Sequence, residues 1–341
     1  MNKIILTGAT GFIGSHVLNY FRHQGLDPYC IIRNKNNAQI IPEENCLTAG
    51  LNNPEALTEV MKGADFLIHI AGLARDWGRR DDFYMTNVEG TLNVMKAAVQ
   101  NGVKNMIITG SISSYGEENS VKVKNEESPY NSHYPYFLDG IFPCAMNYYR
   151  DSKAIATQKA IEFAETHGLN LTVIEPVWVF GEREFNTGFY EYMKTVKDGT
   201  PFLFGDRKNK FPVIYAGDLA RAYYLAWSAK LSGINRVIIG NTETPLMDEL
   251  YSAFCTAISR KKPRNLPRFL VYPMGFLMEL IATWLRTNEP PLLTRARVNM
   301  FYDNVEFDVS KAKELLGFKN DYSLEEAIKK TVTRYRENGY L

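Results

Sequence analysis

The chain has 341 residues, enough for a large core and two lobes. Apolar residues make up 45% and charged residues 23% of it, as is usual for a globular protein. A net charge of +1 gives no general electrostatic attraction for nucleic acid or an anionic membrane, and no nucleic-acid partner is expected. The cysteines lie far apart and form no Cys-x-x-Cys pair, which favours reduced thiols in the cytoplasm and predicts no metal site. A strand signal at residue 4 leaves no room for a signal peptide, so none is expected.

The first predicted elements are a buried strand and a helix joined by a glycine-rich turn. Residues 4–6 form an apolar run, and apolar residues recur at helical spacing from Phe12 to Phe21. Between them, Gly8 permits a tight turn, Gly11 lets the backbone approach a pyrophosphate, and Gly14 lets the helix pack closely on the strand. The N–H groups and dipole at the start of such a helix hold phosphates. The turn therefore predicts a dinucleotide site, with a purely structural turn as the alternative.

Strand and helix signals alternate through the rest of the first half. The predicted helices cover residues 54–62, 91–100 and 149–167, and the further strands cover 28–33, 66–70, 105–109, 171–174 and 237–240. This alternation is typical of an α/β fold with a doubly wound parallel sheet. We expect the dinucleotide-binding domain to comprise residues 1–181 and about 213–240.

The remaining segments, about 182–212 and 241–341, interrupt the alternation and predict a smaller mixed substrate lobe with C-terminal helices. Residues 269–285 are strongly apolar but contain Pro273 and Glu279, and they are fewer than the ~20 that a membrane span needs. We expect a buried or substrate-facing helix there. A membrane-surface anchor is the alternative.

Tyr149 and Lys153 are four residues apart in a predicted helix, so their side chains share one face. A free phenol titrates near ~10, and a nearby ammonium favours its ionised form. A tyrosine tuned in this way can exchange a proton with an alcohol or a carbonyl. Tyr190 and Lys194 have the same spacing but lie in the irregular lobe, so we interpret them as structural.

Ser111 follows the predicted strand 105–109, at the carboxyl edge where ligands bind in such sheets. Its hydroxyl can stabilise a carbonyl oxygen that gains charge. Ser113 and Ser114 are nearby alternatives, more typical of residues that satisfy turn backbone.

Several motifs, in this order, resemble the extended short-chain dehydrogenase/reductases, which include the NAD-dependent epimerases and dehydratases. They are Thr7-Gly-Ala-Thr-Gly-Phe-Ile-Gly14, His69-Ile-Ala-Gly72, Asn87-Val-Glu-Gly-Thr-Leu-Asn93, the serine segment around Ser111, Tyr149-Arg-Asp-Ser-Lys153, Pro176-Val-Trp-Val-Phe-Gly181, Val213-Ile-Tyr-Ala-Gly-Asp-Leu-Ala220 and Asp308-Val-Ser-Lys-Ala-Lys-Glu-Leu-Leu-Gly317. Segments 267–285 and 290–295 are similar to the 3β-hydroxysteroid dehydrogenase and dihydroflavonol reductase branch.

The resemblance implies a Rossmann domain that binds NAD or NADP, with Ser111, Tyr149 and Lys153 as the catalytic set and no metal. It also implies that the lysine holds the nicotinamide ribose and that Asn87 supports the site. The implied cofactor contacts, besides Tyr149 and Lys153, are Gly8, Thr10, Gly11, Phe12, Ile13, Gly14, Ala71, Gly72, Pro176 and Val179. Because many members of this family form dimers, the resemblance also implies a homodimer.

Three departures from the family pattern refine these expectations. Where an acidic residue usually binds the ribose of NAD, this chain has Ile32 and Arg33, with Lys35 nearby. Because a guanidinium pairs with a 2′-phosphate, this favours NADP. The adenine-binding Asp-Leu pair is replaced by Gly50-Leu51, and a long loop rich in tyrosine and proline, residues 128–143, is expected to cover the substrate.

The expected reaction interconverts an alcohol and a ketone or aldehyde on a hydrophobic small molecule. Sugar-nucleotide members use an arginine where this chain has Lys210, although Arg295, Arg297 or Lys210 could compensate. The lobe is rich in aromatic residues, which suit an apolar substrate or a simple core. A nucleotide-sugar 4-epimerase with bound NAD is the alternative function, and a non-catalytic cofactor sensor is a further one that the retained Tyr149–Lys153 pair disfavours.

Overall fold

The computed structural model describes residues 3–34, 38, 40–116, 122–185 and 188–341. Its centre is a seven-stranded sheet in the order β10-β6-β5-β4-β1-β2-β3, in which every pair is parallel. The strands are β1 (Ile4–Thr7), β2 (Tyr29–Ile32), β3 (Cys46–Thr48), β4 (Phe66–His69), β5 (Asn105–Thr109), β6 (Asn170–Pro176) and β10 (Ile234–Ile239). Lys35, one of the predicted cofactor residues, lies outside the described residues.

Helices cover both faces of this sheet. They are α1 (Phe12–His23), α2 (Pro54–Val60), α3 (Arg80–Phe83), α4 (Gly90–Gln100), α5 (Ala145–Thr166), α7 (Ala216–Ala229) and α11 (Ser310–Leu316). Successive residues of β1 pack on opposite faces of the sheet, each of which has its own apolar core. Ile4 and Leu6 pack on the face covered by α1 and α7, and Ile5 packs on the face covered by α2 and α4. Burial on both faces explains why the strands read as short continuous apolar runs.

The predicted α/β fold with a doubly wound parallel sheet is confirmed. Strand 105–109 has the predicted bounds, and the other predicted strands differ by a few residues. Two details differ. The three-residue strand β3 is too short to give a pattern, and α5 begins at Ala145, so Tyr149 lies one turn inside the helix and does not open it.

The C-terminal half adds a smaller group of elements beside the carboxyl edge of the sheet. Two parallel pairs join β7 (Trp178–Phe180) to β9 (Val213–Tyr215) and β8 (Phe202–Leu203) to β11 (Arg264–Asn265). The helices are α6 (Phe189–Lys197), α8 (Met247–Ala257), α9 (Arg268–Trp284), α10 (Arg295–Tyr302) and α12 (Leu324–Glu337). Helices α6, α8 and α12 enclose a separate aromatic core.

Residues 269–285 form the predicted helix, α9, but the expectation that it is buried is wrong. Val271, Gly275, Glu279 and Ala282 are its buried residues, whereas Phe269 is 75% and Trp284 81% exposed. Among the described residues, none of the helices combines the length and the apolar content that crossing a bilayer requires.

Candidate active site

The glycine turn between β1 and α1 has the backbone geometry that its sequence predicts. Gly8 has φ +79°, and a Cβ built there would lie 2.7 Å from the Ala71 nitrogen, so the loop after β4 can approach only because the side chain is absent. A Cβ on Gly14 would lie 2.0 Å from the Gly8 carbonyl oxygen. Gly11 is exposed and precedes α1, whose N-terminus has no side-chain cap and no acidic residue in its first turn. These features fit an anion such as a pyrophosphate, with its contacts at Thr10, Phe12 and Ile13 still a prediction.

A buried chain of hydrogen bonds fixes the loop after β4. The Thr91 hydroxyl donates to the Asn87 carbonyl (2.6 Å), so it accepts from His69 Nε2 (3.1 Å). His69 Nδ1 then accepts from the Thr7 hydroxyl (2.7 Å), and Thr7 Oγ1 accepts the N–H groups of residues 70 and 71 at 3.2 Å each. Burial lowers the pKa of His69 to about 3, so the ring is neutral and keeps this tautomer. These hydrogen bonds hold Ala71 and the exposed Gly72, both predicted cofactor contacts, at the carboxyl edge of the sheet.

Ser111 and Tyr149 meet at the carboxyl edge of the sheet. Ser111 caps a short 3₁₀ helix (Ile112–Tyr115) directly after β5, and the Tyr149 hydroxyl on α5 donates to its Oγ at 3.4 Å. Ser113 lies behind this contact: its N–H donates to Ser111 Oγ (3.2 Å), and the two hydroxyl oxygens are 2.7 Å apart. The geometry thus favours Ser111 over Ser113 as the partner of Tyr149, and its catalytic role remains a prediction.

Lys153 follows Tyr149 by one turn of α5, and its Nζ donates to the Thr109 carbonyl at the end of β5 (2.5 Å). Burial lowers the pKa of Lys153 to about 8, and the negative charge of Glu175 acts in the opposite direction. The ammonium therefore remains mostly protonated at neutral pH. Its effect on the acidity of Tyr149 remains a prediction.

Asn87 connects the loop after β4 to the segment of α5 that contains Tyr149. It lies in a π-helical turn (Tyr84–Glu89), where its side chain accepts from the Leu73 N–H (2.7 Å) and donates to the Leu73 carbonyl (3.1 Å). Its amide also donates to Ser152 Oγ (2.9 Å), which donates to the Tyr149 carbonyl (2.8 Å). These contacts fit the supporting role expected for Asn87.

A buried ionic cluster behind the site has no counterpart in the sequence predictions. The Glu175 carboxylate is fully buried and accepts from Tyr115 (2.5 Å) and Tyr130, while Arg236 Nε lies 3.5 Å from it. A Cβ on Gly110 would lie 2.7 Å from Glu175 Cγ, so this side chain runs beneath the residue that precedes Ser111. A lone carboxylate inside the apolar run 171–179 was the available signal, since such groups are rarely buried without partners.

The predicted cover loop, residues 128–143, folds over the start of α5. Asn147 fixes it by accepting from the Tyr134 N–H (3.0 Å) and donating to the Tyr134 carbonyl (2.9 Å). His133 bridges Asp139 and Asp151 at 2.9 Å each, and hydrogen bonding to Asp151 is the main cause that raises the pKa of His133.

Apolar side chains surround Tyr149 on the side of this loop. Tyr134, Tyr136 and Met146 belong to the same packed cluster, and the Phe83 ring meets Tyr149 edge-on at 6.5 Å. The aromatic residues of the lobe, for which an apolar substrate site and a simple core were both open, lie mostly in a core. Of these, Phe185, Phe189, Tyr190 and Tyr192 pack in or against the separate core of the lobe, so the simple-core alternative applies to them.

The other predicted cofactor residues border the same edge of the sheet. Arg33 follows β2 and is exposed, Pro176 ends β6, and Val179 is buried in β7. Arg183, which the sequence did not single out, has φ +73° and donates to the Thr10 carbonyl (3.1 Å), placing an exposed cation beside the glycine turn.

All three cations that could have served a sugar-nucleotide diphosphate are engaged by carboxylates. Arg295 is fully buried and forms two 2.9 Å contacts with Glu279. Arg297 pairs with Asp76, and Lys210 pairs with Glu306. No group of three or more His, Cys, Asp or Glu side chains suited to a metal occurs within the described residues.

Comparison with known proteins identifies the chain's relatives. The model of the NAD-dependent epimerase/dehydratase family matches residues 4–240. The chain is 25% identical to a 2-alkyl-3-oxoalkanoate reductase of Shewanella oneidensis, over 97% of this chain and 85% of the relative. It is 26% identical to the N-acetyl-α-D-glucosaminyl-diphospho-ditrans,octacis-undecaprenol 4-epimerase of Escherichia coli O157:H7, over 97% and 94%. Further relatives include plant 3β-hydroxysteroid dehydrogenase/decarboxylases and a dihydroflavonol 4-reductase described as putative.

Solved structures match the whole fold. The UDP-glucose 4-epimerase of Thermotoga maritima, crystallised with UDP-glucose, superposes with a TM-score of 0.75 at 22% identity, covering 99% of each chain. Similar proteins thus include reductases or dehydrogenases, 4-epimerases and, among the solved structures, a dTDP-glucose 4,6-dehydratase.

Proposed function

Because the chain belongs to the NAD-dependent epimerase/dehydratase family, we propose that it is an NAD(P)-dependent oxidoreductase that interconverts an alcohol and a ketone or aldehyde on a hydrophobic small molecule. The substrate is a ring-bearing or long-chain compound. The proton on the substrate oxygen moves through Tyr149.

Each residue of the predicted catalytic set has a distinct task in this proposal. The bound nicotinamide supplies or accepts the hydride. Tyr149 gives its hydroxyl proton to the carbonyl oxygen in reduction and takes it back in oxidation. Ser111 Oγ accepts the backbone N–H of Ser113, and in this proposal the Ser111 hydroxyl proton turns to the same substrate oxygen and stabilises it. The Lys153 ammonium, one helical turn away, favours the ionised phenol.

The choice of an apolar substrate rests on one observation: the three cations that could bind a sugar-nucleotide diphosphate already form ion pairs within the protein. Arg295, Arg297 and Lys210 each pair with a carboxylate, and releasing them would leave Glu279, Asp76 or Glu306 without its counter-charge. On the other side, the partly exposed ring of Tyr134 presents apolar surface beside Tyr149, and Tyr136 and Met146 are packed behind it. An apolar substrate gains about 25 cal/mol for each Å² buried there.

The proposal includes a preference for NADP. The exposed guanidinium of Arg33, at the carboxyl end of β2, supports this preference. Neither Ile32, the last residue of β2, nor Arg33 has a carboxylate that could accept a hydrogen bond from a ribose hydroxyl. Replacing Arg33 with serine is expected to weaken NADPH binding roughly tenfold and to change NADH binding little. Equal affinity of the native protein for NADH and NADPH would contradict the preference.

We keep one alternative, a nucleotide-sugar 4-epimerase, because the epimerase relative is as similar to this chain as the reductase relative. A cytoplasmic location is also proposed, and it is supported by the state of the four cysteines, which are free thiols.

A panel of compounds tests the proposed reaction directly. Purified protein with NADPH or NADH is given 3-oxoalkanoates, ketosteroids, dihydroflavonols and UDP-sugars, and the loss of cofactor absorbance and the products are measured. Reduction of an apolar ketone without turnover of UDP-sugars is expected. Formation of a sugar epimer without net cofactor oxidation would overturn the proposal in favour of the epimerase.

A further inference from the structure

The outer side of α9 is an apolar surface that the rest of the chain leaves uncovered. Its exposed side chains, between 47% and 81% accessible, include those of Phe269, Leu270, Leu277, Ile281, Trp284 and Leu285. We call them the α9 face. Contiguous apolar surface of this kind is unusual on a protein that works alone in water.

The opposite side of α9 is fixed to the protein, so the helix presents only this one face. A Cβ on Gly275 would lie 2.9 Å from Val298 Cγ2 on α10, which shows how closely the two helices pack. Glu279, the one acidic residue of α9, is buried and paired with Arg295. The α9 face therefore carries no negative charge.

The cover loop extends this surface toward the candidate active site. Arg295 donates to the carbonyl groups of Phe137 and Phe142 (2.8 Å to the latter), and the rings of Phe137 and Phe276 meet edge-on at 5.4 Å. Ile141 on the same loop is 85% exposed. Apolar surface thus continues from α9 to the loop whose tyrosines pack against Tyr149.

Basic residues lie at both ends of the α9 face. Residues 259–289 contain six basic side chains and two acidic ones, and two of the basic ones, Lys262 and Arg268, pair with Asp248 and Asp303. Arg260, Lys261 and Arg264 are exposed before the helix, and Arg286 is exposed after it. Since the exposed Glu289 lies close to Arg286 in the sequence, the excess of unpaired positive charge is at the N-terminal end of the α9 face.

We propose that the α9 face binds the surface of an anionic lipid bilayer, with the helix lying in the interface. An amphipathic helix with an apolar side and flanking cations has this binding mode. A second copy of the chain suits the face less well. A two-fold contact with parallel helices would bring the basic segments of the two copies against each other. The proposal stands apart from the reaction, because lipid binding is measurable without substrate or cofactor.

Sedimentation with vesicles tests it. The native chain is expected to bind vesicles of phosphatidylcholine with phosphatidylglycerol and to bind phosphatidylcholine alone much more weakly. Substituting Phe269→Ser and Trp284→Ser together removes two exposed side chains and should lower binding by about tenfold or more. Substituting Lys261→Gln and Arg264→Gln should weaken binding to the anionic vesicles by roughly fivefold for each charge. Val123→Ser is the matched control, since Val123 is 54% exposed and lies outside the α9 face.

Trp284 provides an independent signal. Its fluorescence should shift to shorter wavelength when anionic vesicles are added, and the double serine variant, shown by circular dichroism to be folded, should lack this shift. The proposal is overturned if the native chain ignores anionic vesicles or if the double variant binds them equally well. It is also overturned if sedimentation without lipid shows a dimer that the double variant loses, because the face would then be an interface between copies.

Discussion

Replacing Lys153 with methionine should make the protein more stable at neutral pH while it loses activity. The lowering of the Lys153 pKa from 10.5 to about 8 by burial corresponds to about 3 kcal/mol, at about 1.4 kcal/mol per pH unit. Methionine keeps the length of the side chain without its charge. The lost hydrogen bond to the Thr109 carbonyl offsets about 1 kcal/mol of the gain.

The sign and the pH window of this effect follow from proton binding. Since the pKa of Lys153 is lower in the folded chain, the unfolded chain holds more protons between about pH 8 and 10.5. The stability of the native protein relative to the variant therefore rises across that window. Below pH 8 the cost of burying the ammonium is fully present, so the variant should be more stable there by about 2 kcal/mol.

Urea unfolding followed by circular dichroism at pH 7 and pH 10 measures the difference. Lys194→Met is the matched control, because Lys194 also follows a tyrosine by four residues but is exposed on α6. The control should change stability little at either pH. A Lys153→Met variant less stable than the native protein at pH 7, or a difference independent of pH, would refute the interpretation of a buried, destabilising ammonium.

Two further substitutions test the residues that shape the site, Gly14 in the glycine turn and the buried Glu175. Gly14→Ala should abolish NADH or NADPH binding and lower the melting temperature, because its Cβ would lie 2.0 Å from the Gly8 carbonyl oxygen. Gly140→Ala is the control: a Cβ there meets nothing within 4 Å, so both the binding and the melting temperature should be unchanged. Glu175→Gln should shift the alkaline limb of the pH–rate profile to lower pH, because the carboxylate raises the pKa of Lys153 and its loss lets the ammonium deprotonate earlier. An alkaline limb with an unchanged midpoint would show that Glu175 does not act on Lys153.

Local sequence patterns predicted the sheet and the proximity of Tyr149 and Ser111, whose catalytic roles stay a prediction. Parallel strands bring their carboxyl ends to one edge, so placing Ser111 after β5 and Tyr149 on the next long helix sufficed to predict their approach. The glycine turn was predictable because Gly14 and Gly8 contact each other within a few residues, whereas the close approach of Ala71 to Gly8 is a contact between distant parts of the chain.

Contacts between distant parts of the chain were not predictable in this way. Arg297 pairs with Asp76, 221 positions away, and nothing in either local segment indicates that pairing. The apolar run of α9 likewise has the composition of a buried helix, and only the tertiary structure shows that one side lacks a protein partner.

The rate of hydride transfer in Tyr149→Phe tests the proposed chemistry most directly. The variant keeps the ring that packs beside Tyr136 and Met146 and loses only the hydroxyl. With a substrate found in the panel, its kcat should fall by about 10² or more, while cofactor binding followed by NADPH fluorescence stays within a few-fold of native. Turnover close to that of the native protein would show that another group moves the proton and would contradict the account.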